Sequence, residues 1–196
     1  EGLVKRRHGA GTFVSQAVQI ANPLNSIIDY HDLITGQGFE FGFKHLGAET
    51  KKPTLKVAQA LQLGPEARAV VIHKAFTADG ELLIYATNVI PEWVYEGHLT
   101  PQEITQPDAT EPLFFQFLAE RCGQPLDYYV STLRPEIARN IEFAGDPPPV
   151  DPLLPVLVIE EVGYSVQDRP VIYEMECLFG NRMKFELIRR LRQSAR

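Results

Sequence analysis

Short apolar runs rich in Val, Ile and aromatic residues recur along the chain, separated by glycine, proline and acidic turns. This is the pattern of a strand-rich domain. Leu3-Val4 and Thr12-Phe13-Val14 flank a basic stretch and Gly9-Ala10-Gly11, whose glycines can take positive φ, which predicts a hairpin. An isolated hairpin is marginal in water, and the abrupt start predicts further residues upstream. Residues 17–32 read as a connector. Gly36 and Gly38 then precede a predicted strand, Phe39–Ala48.

One pattern follows twice. In the first copy Pro53 opens a short helix, Thr54–Leu61, with Leu55, Ala58 and Leu61 on one side, and Gly64-Pro65 breaks it. Val70–Phe76 and Leu82–Ile90 are strands joined by a turn, Thr77-Ala78-Asp79-Gly80; Asp-Gly between apolar runs is a strong hairpin signal. In the second copy Arg134–Ala138 predicts a short helix and Gly145–Pro149 a break. Leu154–Tyr164 is then a strand, Ser165–Pro170 a turn and Val171–Ile188 one long last strand. Between the copies, Pro112–Cys122 has the 3.6-residue apolar stripe of a helix stopped by Gly123, and Leu126–Leu133 reads as a strand. The expected fold is α+β: a mostly antiparallel sheet with short helices, built of two related helix–hairpin halves.

The 196 residues, 44% hydrophobic and 22% charged, suffice for one domain with a core, which excludes wholesale disorder. No apolar run approaches the roughly 18 residues of a membrane span, and no charged-then-apolar leader opens the chain. The expectation is a cytoplasmic protein without a membrane partner. Cys122 and Cys177 have neither metal spacing nor the density of a disulfide framework. The net charge of −6 is unevenly placed: residues 1–16 carry Lys5, Arg6 and Arg7 against Glu1. A basic head on an acidic body suggests a nucleic-acid contact.

Gly2-Leu3-Val4-x-Arg6-Arg7-His8-Gly9-Ala10-Gly11-Thr12-Phe13-Val14 resembles the wing of the winged-helix domain in GntR-type bacterial transcription regulators. The remainder resembles the UTRA effector domain of their HutC-like branch. The matching features are the paired halves, Asp79-Gly80-Glu81, Arg169-Pro170-Val171-x-Tyr173 and Phe179-Gly180-Asn181-Arg182-x-x-Phe185. The resemblance implies residues 1–16 as a wing remnant, 17–32 as a linker, and 33–196 as a chorismate-lyase-like effector-binding and dimerisation domain. It also implies a homodimer acting on DNA, most often as a repressor. Lys5, Arg6, Arg7, His8, Gly9, Gly11 and Thr12 are the expected DNA contacts, since a glycine tip admits close backbone approach and cations neutralise phosphates. The recognition helix that reads bases is not among these residues.

In phosphosugar-sensing relatives two basic residues on the first hairpin strand hold a phosphate; the matching positions here are Lys74 and Phe76. Pocket glutamates map to Ala86 and Ile172, a tyrosine to Leu178 and a small polar residue to Asp127. Sugar hydroxyls facing these apolar groups would go unpaired at roughly 1–3 kcal/mol each. The expected pocket is therefore apolar, with Lys74 as anion partner and His73, Tyr85 and Tyr129 supplying polar tips, which suits a small carboxylate. Glu174/Glu176 share a strand face by their i,i+2 spacing and could do acid–base work, though solvated strand acids are commoner. His31, His45 and His98 show no metal-ligand spacing, and no phosphate-binding or nucleophile motif appears, so neither cofactor nor catalysis is expected. The alternatives are a ligand-free dimerisation module and, from the implied fold alone, a lyase-like enzyme.

Overall fold

The computed structural model describes residues 4–7, 11–14, 20–106, 114–180 and 182–188. In chain order the elements are β1 (Val4–Arg7), β2 (Gly11–Val14), β3 (Ile20–Pro23), α1 (Tyr30–Thr35), β4 (Phe41–Lys51), α2 (Leu55–Ala60), β5 (Ala69–Ala78) and β6 (Glu81–Pro91). There follow α3 (Glu92–Tyr95), α4 (Pro101–Ile104), α5 (Phe114–Arg121), β7 (Leu126–Ile137), a 3-10 turn (Ala138–Asn140), β8 (Pro155–Ser165), β9 (Pro170–Phe179) and β10 (Met183–Glu186). Six strands form one sheet in the order β4-β5-β6-β9-β8-β7, every neighbouring pair antiparallel. This is the α+β architecture the patterning predicts.

The duplication is present in altered form. Each half is strand, helical turn, hairpin: β4-α2-β5-β6 and β7-(3-10 turn)-β8-β9, joined through β6 and β9. The helix expected over Arg134–Ala138 is instead the end of β7. Pro135 there signals a helix start in sequence, but β7 is an edge strand, where a residue without an N–H is tolerated. The single last strand is also divided. β9 ends at Phe179, and β10 pairs in parallel with β3, so part of the predicted connector is strand. In α2 the buried side is Val57, Ala60 and Leu61, whereas Leu55 is 75% exposed. The sequence reading passed over α3 and α4, although Thr100-Pro101-Gln102-Glu103 is a readable capping box with proline in the first turn.

The hairpin predicted at residue 80 turns through Asp79 and Gly80, both at positive φ (51° and 78°), as a two-residue type I′ turn requires. Two of the motifs singled out above meet here. Arg182 donates to the Ala78 carbonyl at 3.0 Å and to Glu81 at 2.9 Å, pairs with Asp79 at 3.2 Å, and lies over the Phe39 ring. Arg169 sits 3.2 Å from the Trp93 ring centroid, tying the β8–β9 turn to α3. The predicted wing hairpin pairs as β1 with β2, Arg6 opposite Thr12 and Arg7 opposite Gly11. His8, Gly9, Pro112, Leu113, Asn181 and the arginines from Arg189 onward lie outside the described residues. No helix among the described residues is long and apolar enough to cross a membrane.

Both sheet faces are covered. On one, Tyr85, Val158, Cys177 and Phe179 pack under the 138–154 loop, and Val71, Val89 and Tyr173 under α2. On the other, Ile72, Ile172 and Leu118 of α5 form one cluster, and Ile84, Leu178 and Ile34 of α1 form another. Both cysteines are buried and unpaired. Gly163 closes the first of these two clusters: a Cβ there would stand 2.7 Å from Ile172 and 3.0 Å from both Leu126 and Tyr129. Gly163→Ala is expected to cost about 1–3 kcal/mol by overpacking, read as a lowered melting temperature. Gly64→Ala, with nothing within 4 Å, serves as the unaffected control.

Candidate functional site

Between the two clusters the sheet face is not filled. Antiparallel register aligns residues in rows across the strands, and alternate residues share a face. One row runs Lys74, Ala86, Glu176, Ile159; the next runs Ile72, Asn88, Glu174, Glu161, Ser131. Above these rows lies a cavity of about 530 Å³. Its floor includes Lys74, Phe76, Ala86, Asn88, Ile159, Glu161, Glu174 and Glu176. Residues 22–31 wall one side and Phe114 and Phe115 of α5 the other.

The polar groups on the floor form a connected set. Asn88 donates to Glu174 at 2.7 Å, and Tyr129 lies within hydrogen-bonding reach of the same carboxylate. Ser131 donates to Glu161, and Tyr30, the first residue of α1, donates to Glu176. Tyr30 also packs on Phe76 with ring centroids 5.1 Å apart. The ammonium of Lys74, a residue 5% exposed, stands 4.2 Å from the Phe114 ring centroid.

Burial sets the charge state of these acids. Glu174, 7% exposed, is pushed up to about 7 by burial and then by the charge of Glu161; Lys74, Asn88 and Tyr129 oppose the shift. Glu176 is pushed up to about 8 by burial and then by Glu174, with Tyr30 opposing. Burial also raises Glu161. The cavity thus concentrates three carboxyl groups, of which Glu174 and Glu176 retain protons near neutrality.

A model of the UTRA domain family matches residues 36–184. The chain belongs to that family. Among solved structures, the UTRA domain and its flanks resemble PhnF from Mycobacterium smegmatis (20% identity, TM-score 0.73), over 96% of this chain and 79% of that one. The effector domain of PhnF matches at 20% identity and TM-score 0.70, over 88% of this chain and 100% of that one. A GntR-family transcriptional regulator from Enterococcus faecalis V583 matches at 21% identity and TM-score 0.57, over 76% of this chain and 100% of that one. No curated protein matches the chain.

Within this UTRA domain, Lys74, Phe76, Ala86 and Tyr129 line the cavity together. The other expected pocket residues do not. His73 and Tyr85 lie on the opposite sheet face, the Tyr85 hydroxyl 3.0 Å from His73 Nδ1, because each is one residue out of step with Lys74 or Ala86. Asp127 is exposed beside the irregular start of β7. Ile172 and Leu178 are fully buried in the two flanking clusters. Between them on the same face of β9 stand Glu174 and Glu176, so the pocket expected to be apolar keeps apolar walls but has acids on its floor. Asp29, half-buried, with the exposed His31 and Asp32 brings possible metal-ligand atoms within 4.8 Å of one another, but Asp29 already caps α1 by accepting from two backbone N–H groups.

The raised acids make folding take up protons. The native state binds more protons than the unfolded chain between the ordinary glutamate range and about pH 8, so their contribution to stability falls as pH rises through that window. His73, lowered by burial, works in the opposite sense at the acid end. The E174Q/E176Q double variant is therefore expected to gain stability over the parent progressively from about pH 5 to about pH 8. Chemical denaturation at a series of pH values checks this; a constant difference would contradict the buried titration.

Proposed function

We propose that the chain is the effector-sensing portion of a ligand-responsive transcription regulator, which acts on DNA as a cytoplasmic homodimer and represses in its simplest mode. The carrying observation is that one cavity is built jointly by the sheet floor and by residues 22–31, the stretch that follows the β1–β2 hairpin. Tyr30 bonds that stretch to Glu176, so a ligand displacing or reinforcing this contact biases the stretch. In this reading β1 and β2, with Lys5, Arg6, Arg7, Gly11 and Thr12, belong to the DNA-contacting wing, and residues 33–196 bind effector and dimerise. The family match and the shared fold support a regulator over an enzyme. The acids beside Lys74 weigh against the carboxylate effector expected there, since an added anion would face their charge wherever they ionise.

A thermal-shift panel of carboxylates, sugar phosphates, amines and polyols tests the site. At least one class is expected to raise the melting temperature; a ligand at 100 times its Kd adds about 2.7 kcal/mol. Ala86→Phe, which projects a ring into the cavity, is expected to abolish the shift. A shift that survives this substitution, or a panel that moves nothing, would refute the site. Gel shifts with this chain alone are expected to show weak, salt-sensitive DNA binding without sequence preference; tight, site-specific binding would overturn the wing assignment.

A further inference from the structure

Taking the cavity as the effector site, as proposed above, its chemistry selects among effectors. Glu161, Glu174 and Glu176 face the cavity together with one ammonium, that of Lys74. A carboxylate offers about four acceptor positions. Among the described residues each acid has one or two donors: Ser131 for Glu161, Asn88 and Tyr129 for Glu174, and Tyr30 for Glu176. Acceptor capacity is left over on all three, in a space partly withdrawn from water where uncompensated negative charge is costly. Protonation relieves that cost, and so does an incoming cation; an incoming anion increases it.

Part of the remaining wall is aromatic. Phe41 and Phe76 lie with centroids 6.3 Å apart, and Phe114 carries the Lys74 ammonium on its face. The Phe114 ring already holds one cation, and ring faces attract positive charge most strongly where water is excluded.

We propose that the cavity binds an organic cation, with an ammonium or amidinium group set between Glu174 and Glu176 and an apolar or aromatic body lying against the phenylalanine rings. Glu174 and Glu176 are two residues apart on one strand face, roughly 7 Å along the strand, so one charged head with several N–H groups reaches both. Glu161, opposite Glu174 on β8, supplies a further acceptor. Lys74 stands on the far side of Ala86 from Glu176 and sets the limit of the cationic subsite.

Binding of this kind is linked to protons. Among the described residues the titratable groups facing the two acids are Glu161 from β8, Lys74 from β5, Tyr129 from β7, and Tyr30, with Asp29 and His31, from the α1 side. β6 contributes the neutral Ala86 and Asn88, and α5 the neutral Phe114 and Phe115. A bound cation favours the ionised carboxylates, so it expels the protons they hold near neutrality.

The test uses probes of matched frame and different charge: 2-phenylethylamine, 2-phenylethanol and 3-phenylpropionate, with agmatine as a non-aromatic cation. The amines are expected to raise the melting temperature more than the alcohol, and the carboxylate not at all. Amine affinity is expected to rise up to tenfold per pH unit from about pH 6 to about pH 8 for each proton released. Calorimetry in buffers of different ionisation enthalpy reads that release directly. E174Q and E176Q, isosteric and free of the buried charge, are expected to fold and to lose at least tenfold in amine affinity. If the alcohol or carboxylate binds instead, and Ala86→Phe abolishes that binding, the effector site stands and the cation assignment falls. If no probe binds, or binding ignores Ala86→Phe, the cavity fails as the site and the assignment fails with it.

Discussion

The antiparallel pairing of β6 with β9 joins the two halves of the domain and fixes which side chains meet. It sets Ala86 opposite Glu176 and Asn88 opposite Glu174, and carries the same two rows outward to Lys74 on one side and to Ile159 and Glu161 on the other. Side chains alternate across a strand, so a slip of one residue would send both glutamates to the opposite face, among Cys177, Phe179 and Tyr173. The cavity is a property of this register before it is a property of any residue. The flanking apolar pairs, Ile84 against Leu178 at one end and the packing of Ile172 with Ile72 at the other, hold it.

Carboxyl groups in the middle of a well-packed sheet impose a tension that apolar residues would not. Each is partnered, yet the set lies close enough that one charge raises the next. Such a site is most stable when protonated or when compensated from outside. The acids also reach beyond the floor, because Tyr30 belongs at once to the cavity wall and to α1.

Much of the fold was legible in local signals. The Asp79-Gly80 turn, the strands around it and the apolar stripe of α5 all follow from residue type and period. Misreadings arose where tertiary context overrode a local cue: Pro135 reads as a helix start and is an edge-strand residue, and the division of β9 from β10 depends on pairing with β3. The site was half legible. Lys74, Phe76, Ala86 and Tyr129 are legible by position, whereas the spacing of Glu174 and Glu176 fits solvated strand acids as readily as a site. A signal against solvation lies in the sequence: Val171, Tyr173 and Cys177 are apolar on one face, and Ile172 and Leu178 on the other. A strand apolar on both faces is buried, and so are the acids within it. The contribution of residues 22–31 had no local signal, since it arises from long-range docking.

The short ladder between β3 and β10 has a mechanical consequence. Four residue pairs, bracketed by the Ile20 amide on the Arg182 carbonyl and the Leu24 amide on the Glu186 carbonyl, moor the incoming chain beside the outgoing one. This seam is separate from the six-stranded sheet and shares none of its rungs, yet Ile20 and Met183 bury it against Ile84 and Leu178 beside the cavity. One wall of the chamber is thereby moored by bonds that its floor does not share.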